Sequence, residues 1–175
     1  MKYDFKCGVV VGRFAPIHIG HEYIINKALS KCEKVVIVVT ASNKVDKDTP
    51  YDVEYRKYLI SKVFNNEIKN ERIIIATLEN EERIDLNYGK KIIELVRSAS
   101  GEKLEYIIYG SDKKISKCFS KEMLKEIYVE KINRNDINIS ATDIRKYLKA
   151  QNVEKLKANL NPNIHTEIEK LKKYI

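Results

Sequence analysis

The chain has 175 residues, 43% of them apolar and 33% charged, with a formal net charge of +8. That length fits one domain with a sizeable core, with room for a small appendage, and the balance excludes a disordered or fibrous chain. No apolar run approaches the roughly 20 residues of a membrane helix, so no membrane partner is expected.

The opening residues, Met1-Lys2-Tyr3-Asp4-Phe5-Lys6, lack a signal-peptide core. Cys7, Cys32 and Cys118 stand in no CxxC spacing. Reduced thiols and a cytoplasmic location are expected. Lysine is spread along the whole chain, without an aromatic-interleaved basic run. The positive charge therefore suits small phosphorylated anions better than nucleic acid.

Short β-branched runs at Gly8–Val11, Val35–Val39, Ile73–Ala76, Tyr106–Tyr109 and Ile127–Val129 read as strands buried on both faces. Helical spacing lies between them, over Tyr23–Leu29, Val53–Phe64, Tyr88–Val96 and, more weakly, around Ile115–Leu124. The alternation predicts an α/β, Rossmann-like parallel sheet with helices on both faces. Residues 1–149 form this domain. Residues 150–175, with Ile164, Ile168, Leu171 and Ile175 at helical spacing, form a small C-terminal helical extension that packs on it or on a neighbouring subunit.

Ligands of such sheets bind beyond the strand C-termini, and the first strand is followed there by Gly12-Arg13-Phe14-Ala15-Pro16-Ile17-His18-Ile19-Gly20-His21. Gly12 permits close approach to the backbone, and Arg13 offers a planar fork to phosphate. His18 and His21 share one side of a first helical turn, where free N–H groups also attract anions. Gly20 leaves room for a flat or anionic group. Two His could also bind zinc, but no Cys lies near in sequence and one other His exists in the chain, so phosphate chemistry is favoured.

Three loops follow strands on the same edge. Thr40–Pro50 carries Asn43 and Lys44, Glu79–Asn87 carries Arg83, and Gly110-Ser111-Asp112 ends the fourth strand. There Gly110 allows close approach, and Ser111 or Asp112 could bind a ribose or adenine edge or cap a helix. The second chemical signal is Ile139-Ser140-Ala141-Thr142-Asp143-Ile144-Arg145. Ser140 and Asp143 have capping-box spacing, while Thr142 and Arg145 share a face near the same helix start and suit a pyrophosphate. The stretch can cap and bind with the same atoms.

GRFAPIHIGH and ISATDIR, in this order and spacing, resemble the nucleotidyltransferase family with HxGH and ISxTxIR signatures, over roughly Val9 to Leu148. The RFxPxHxGH form is most similar to its nicotinamide-mononucleotide adenylyltransferases. The resemblance implies transfer of AMP from ATP to a phosphorylated small molecule, nicotinamide or nicotinate mononucleotide, with Mg2+ and release of pyrophosphate. It implies that His18, His21 and Arg145 are catalytic and that Gly12, Arg13, Phe14, Gly20, Gly110, Asp112, Ser140 and Thr142 hold ATP. Asn43, Lys44, Arg83 and Tyr88 would face the acceptor; the chain has no Trp, and Tyr88 would stand where members often stack a Trp on the nicotinamide. The metal ligands stay unassigned and a homo-oligomer is expected. The alternatives are adenylyl or cytidylyl transfer to another phosphate, such as phosphopantetheine or glycerol phosphate, and, more remotely, an RNA-binding or sensor protein using the same pocket.

Overall fold

Five strands form one parallel sheet in the order β3-β2-β1-β4-β5: β1 Phe5–Gly12, β2 Cys32–Val39, β3 Ile73–Thr77, β4 Tyr106–Tyr109 and β5 Tyr128–Lys131. The computed structural model describes residues 2–79, 85–109, 112–133 and 137–175, with side chains from 115 onward in the segment that starts at 112. The longest register pairs Phe5 with Cys32 and Gly12 with Val39, so β1 and β2 end side by side. The order of connection reverses at β1, which has β2 on one side and β4 on the other.

Strand periodicity divides the core in two. Val10, Val35, Ile37, Val39 and Ile108 point into one cluster, and Cys7, Val9, Val36, Val38 and Ile107 into the other. The first is covered by α1 (Ile19–Lys31), α2 (Val53–Val63), α6 (Ala141–Lys149), α7 (Val153–Asn159) and α8 (Ile168–Lys172), the second by α4 (Leu86–Ser100) and α5 (Asp112–Cys118). Leu156, Leu160, Ile164, Ile168 and Leu171 of the C-terminal helical appendage are buried in the first cluster with the sheet residues.

The helices differ from the pattern in instructive places. Asn65–Lys69 is a short helix, α3, that buries no residue and so leaves no apolar stripe. The segment expected around Ile115–Leu124 is two pieces, α5 and a 3-10 turn over Met123–Glu126. Buried Cys118 ends the first piece and buried Phe119 follows it. The Cys118 carbonyl lies over Gly89 of α4, where a Cβ would come within 1.8 Å of its oxygen. Gly89→Ala gains helix propensity of about 1 kcal/mol but forces these backbones apart. A net loss of about 1–3 kcal/mol is expected, read as a lower midpoint in urea unfolding.

Candidate active site

The polypeptide leaves β1 at Gly12 and enters α1 at His18, which is the N-cap of that helix in extended conformation. Its Nδ1 accepts from the Gly20 N–H at 3.1 Å, satisfying one of the first-turn donors. The neutral imidazole must then carry its proton on Nε2. His18 is 4% exposed, and burial holds it down to about 4, with the nearby Asp143 carboxylate pulling the other way. His21 lies one turn on, its ring centroid 3.9 Å from that of His18 and 4.7 Å from Phe14. Although its residue is only partly buried, its Nδ1 is shut off from solvent without a hydrogen-bond partner. Burial first, and then the His18 ring, keep it well below the ordinary imidazole range.

Two neutral imidazoles side by side are matched to an anion, because each can take a proton or donate N–H without starting as a fixed charge. They also make the fold acid-sensitive. An unfolded imidazole binds its proton near pH 6.5 while the folded one resists until lower pH. Stability is therefore complete above about pH 6.5 and falls as pH drops toward 4, by about 3 kcal/mol for His18 alone. Chemical denaturation at pH 7 and pH 5 is expected to show this slope, and His18→Gln to flatten it.

The loop between the strand and the helix is held open by unusual backbone. Phe14 has φ 51 and is buried, an uncommon conformation for a bulky residue. Its ring lies against Gly12, where a Cβ would meet ring atoms at 3.2 Å. The Arg13 side chain is exposed, whereas its carbonyl accepts from Arg56 Nη1 at 2.9 Å.

Arg56 of α2 is fully buried and is the residue the sequence reading missed. It also donates to Thr40 O at 2.8 Å, Ala41 O at 2.8 Å and Asp52 O at 3.3 Å, so one guanidinium ties the ends of β1 and β2 to the start of α2. Burial weighs against its charge, and Asp52 supports it. A signal was available: Arg56 stands three and four residues before Leu59 and Ile60, on the apolar side of the helix.

The second motif closes over this loop. Ser140 caps α6, accepting from Asp143 N at 3.2 Å, while the Asp143 carboxylate accepts from Ser140 N at 3.1 Å. The capping box is formed with Asp in the acidic position. Ser140 Oγ also donates to Asp143, so this hydroxyl is engaged in the cap. The carboxyl of Asp143 is held below its ordinary range, by Ser140 first and with Lys146 and His18 contributing. The N–H groups of Ala141 and Thr142 have no intrahelical acceptor and point out of the helix end. Arg145, 9% exposed, donates from Nη1 to Ala15 O at 2.8 Å and from Nη2 to Thr142 Oγ1 at 3.2 Å. Asp48 lies 3.9 Å from Nη2. At Gly20 a Cβ would meet Ile137 at 2.5 Å and the His18 ring at 3.0 Å. The space expected to receive a ligand above Gly20 is thus filled by protein, and the glycine lets the segment leading into α6 pack onto the start of α1.

His18, His21, Gly12, Phe14, Gly20, Ser140, Thr142 and Arg145 are therefore in one neighbourhood, with Arg13 at its rim. The other candidates are spread around it. Asn43 and Lys44 are exposed on a turn where Ser42 N bonds Leu78 O, and Lys44 is paired with Asp46 at 2.7 Å. Tyr88 begins α4, whose cap is Asp85, and packs on the cluster beneath α4 and α5, across the sheet from Phe14. Arg83, Gly110 and Ser111 lie outside the described residues, as does the side chain of Asp112. Among the described residues no group of three His, Cys, Asp or Glu side chains could hold a metal ion, and no helix is long and apolar enough to cross a membrane.

A parallel sheet in this order, with two helix N-termini meeting at the end of its central strand, defines a Rossmann-like nucleotide-binding fold. The chain belongs to the cytidylyltransferase-like family, whose family model matches residues 9–147. It is 30% identical over 127 residues to a probable nicotinate-nucleotide adenylyltransferase of Aliarcobacter butzleri, covering 70% of this chain and 67% of that one. It is 25% identical over 170 residues to a nicotinamide-nucleotide adenylyltransferase of Archaeoglobus fulgidus, covering 93% and 92%. A similar fold is seen in a bifunctional NMN adenylyltransferase/ADP ribose pyrophosphatase of Francisella tularensis, solved with AMP and a manganese ion. The TM-score is 0.68 at 22% identity, over 83% of this chain and 42% of that larger one.

Proposed function

We propose that the chain is an adenylyltransferase moving AMP from ATP to the phosphate of nicotinamide or nicotinate mononucleotide, with release of pyrophosphate. The observation that carries this reading is the bond from Arg145 to the Ala15 carbonyl, 2.8 Å long across 130 residues of sequence. It sets the histidines of one helix start beside the hydroxyls and free N–H groups of another, so that one triphosphate can touch both.

In this reading an acceptor phosphate oxygen attacks the α-phosphorus of ATP. The new O–P bond forms as the bond to the bridging oxygen of pyrophosphate breaks, and the leaving electron pair stays on that oxygen. A phosphate monoester is already a usable nucleophile, so positioning and charge stabilisation suffice. His18 donates from Nε2 toward the α- and β-phosphates, and His21, whose buried Nδ1 lacks a partner, acts beside it. Arg145, Thr142, Ser140 and the α6 N–H groups hold the β- and γ-phosphates, with Arg13 at the rim. Gly12, Phe14 and Gly20 shape the floor, and the resemblance would give the adenosine contacts to Gly110 and Asp112. The resemblance would give acceptor contacts to Asn43, Lys44, Arg83 and Tyr88, although Tyr88 packs on the cluster beneath α4 and α5.

Mg2+ would neutralise part of the triphosphate charge. The described residues offer no three-ligand cage, which fits an ion carried largely by substrate phosphates and water. The buried free thiols of Cys7, Cys32 and Cys118 fit the reducing cytoplasm.

The test is pyrophosphate release from ATP and from CTP against nicotinamide mononucleotide, nicotinate mononucleotide, phosphopantetheine and glycerol phosphate. Release with a pyridine mononucleotide is expected. Release only with one of the other two acceptors would move the chain to the alternative reading within the family.

A further inference from the structure

The loop between β2 and α2 carries a carboxylate to the phosphate side of the site. Residues 46–49 close a tight turn, Asp46 N donating to Thr49 O at 3.1 Å and Thr49 N to Asp46 O at 3.0 Å. Asp46 Oδ1 also accepts from the N–H groups of Asp48 and Thr49, at 2.9 and 2.8 Å. Lys44 pairs with Oδ2 of Asp46 at 2.7 Å. Thr49 and the next two residues, Pro50 and Tyr51, are buried. The backbone at Asp48 is thus anchored on both sides, and its side chain takes no part in the anchoring.

That side chain meets Arg145, with Oδ1 3.9 Å from Nη2. Among the described residues its carboxylate has no hydrogen bond and no second ion pair. Asp143, the other acid at this helix start, is different: its carboxylate accepts from Ser140 N and Oγ and so closes the cap. Arg145 cannot turn away from Asp48, because Ala15 O and Thr142 Oγ1 hold its two Nη atoms. An ion pair this exposed on one side adds little to stability. A carboxylate at that guanidinium does oppose any anion placed there.

We propose that Asp48 is a competing counter-ion for Arg145 that weakens the hold on pyrophosphate and so favours its release. The inference rests on the reading of Arg145 as a phosphate ligand. Groups that grip the β- and γ-phosphates of ATP grip the product as well, and equal binding of the two leaves the site closed by its own product. What separates them is charge. When the bond to the α-phosphorus breaks, the bridging oxygen keeps the electron pair. Pyrophosphate then formally carries one more negative charge than the same two phosphates carry within ATP. A carboxylate fixed beside Arg145 therefore repels the product more than the substrate. Asp48 touches no reacting atom and works by offsetting part of the guanidinium's charge.

The test is calorimetric titration of pyrophosphate, and separately of ATP, each with Mg2+, into the full chain and its Asp48→Asn, Arg145→Ala and doubly substituted forms. Asp48→Asn is expected to bind pyrophosphate about fivefold more tightly than the wild type, and ATP by a smaller factor. Pyrophosphate should then inhibit its turnover at a correspondingly lower concentration. In the Arg145→Ala background the same exchange is expected to change pyrophosphate affinity by less than about twofold. Unaltered pyrophosphate affinity in Asp48→Asn would overturn the proposal, and so would weaker binding, the result if the carboxylate held the metal ion. Tightening that is equal for ATP, or that persists without Arg145, would overturn it too. A wild type that binds pyrophosphate no better than Arg145→Ala would remove Arg145 as a phosphate ligand, and the proposal with it.

Discussion

His18→Ala and His21→Ala are each expected to lower turnover by about 10²–10³ while leaving a folded protein. The reason is local. Both rings are uncharged and stand 3.9 Å apart. His18 does cap α1, so its loss is expected to cost about 1 kcal/mol of stability as well. His18→Asn, which restores a capping side chain without an imidazole, separates the two effects: the thermal midpoint recovers and turnover does not. Initial rates of pyrophosphate release, with thermal midpoints measured in parallel, check both. Near-normal turnover in a folded double variant would remove the histidines from the chemistry.

The second large effect is expected at a residue that touches no proposed substrate. Arg56→Met preserves much of the side chain's length but leaves the carbonyls of Arg13, Thr40, Ala41 and Asp52 without their shared donor. Buried unsatisfied acceptors cost about 1–3 kcal/mol each, and part of that is relieved as the loops reopen to water. A net loss of about 3 kcal/mol is expected, which for a chain of this size lowers the melting midpoint by roughly 6–12 °C. Turnover should fall too, because the same guanidinium fixes the backbone that carries Arg13. Arg56→Lys keeps the charge but not the fork, and an intermediate midpoint is expected. An unchanged midpoint for Arg56→Met would mean that these four bonds do not hold the loops.

The strands were legible because their β-branched runs are short, and each of the five falls on a run marked by its sequence. The expected burial on both faces fails at the edges, where β5 buries no residue and β3 two of five. Helix ends were less so. The break after Cys118 depends on contact with Gly89, which no local pattern encodes. α3 buries nothing and so carries no periodicity. Within the site, the motif spacings were enough to put His18 and His21 on one helix start and Ser140, Thr142 and Arg145 on another. What they could not disclose is the join between them. The Arg145–Ala15 bond and the packing of Ile137 on Gly20 are long-range contacts, and they turned Gly20 from an expected ligand space into a packing position. Lys44 likewise has a partner in Asp46 that its sequence neighbourhood did not require.

The central claim is that a single triphosphate lies against both helix starts. Its most direct measurement is NMR of imidazole-labelled histidines during titration with ATP and Mg2+, at pH 5 to 8, in the wild type and in Arg145→Ala. An anion beside His18 opposes the burial that holds it near 4, so the account predicts that ATP raises the titration midpoints of His18 and His21. It also predicts that Arg145→Ala weakens the ATP concentration dependence of that shift at least tenfold. ATP that binds while both imidazoles keep their signals, or an imidazole response indifferent to Arg145, would contradict it.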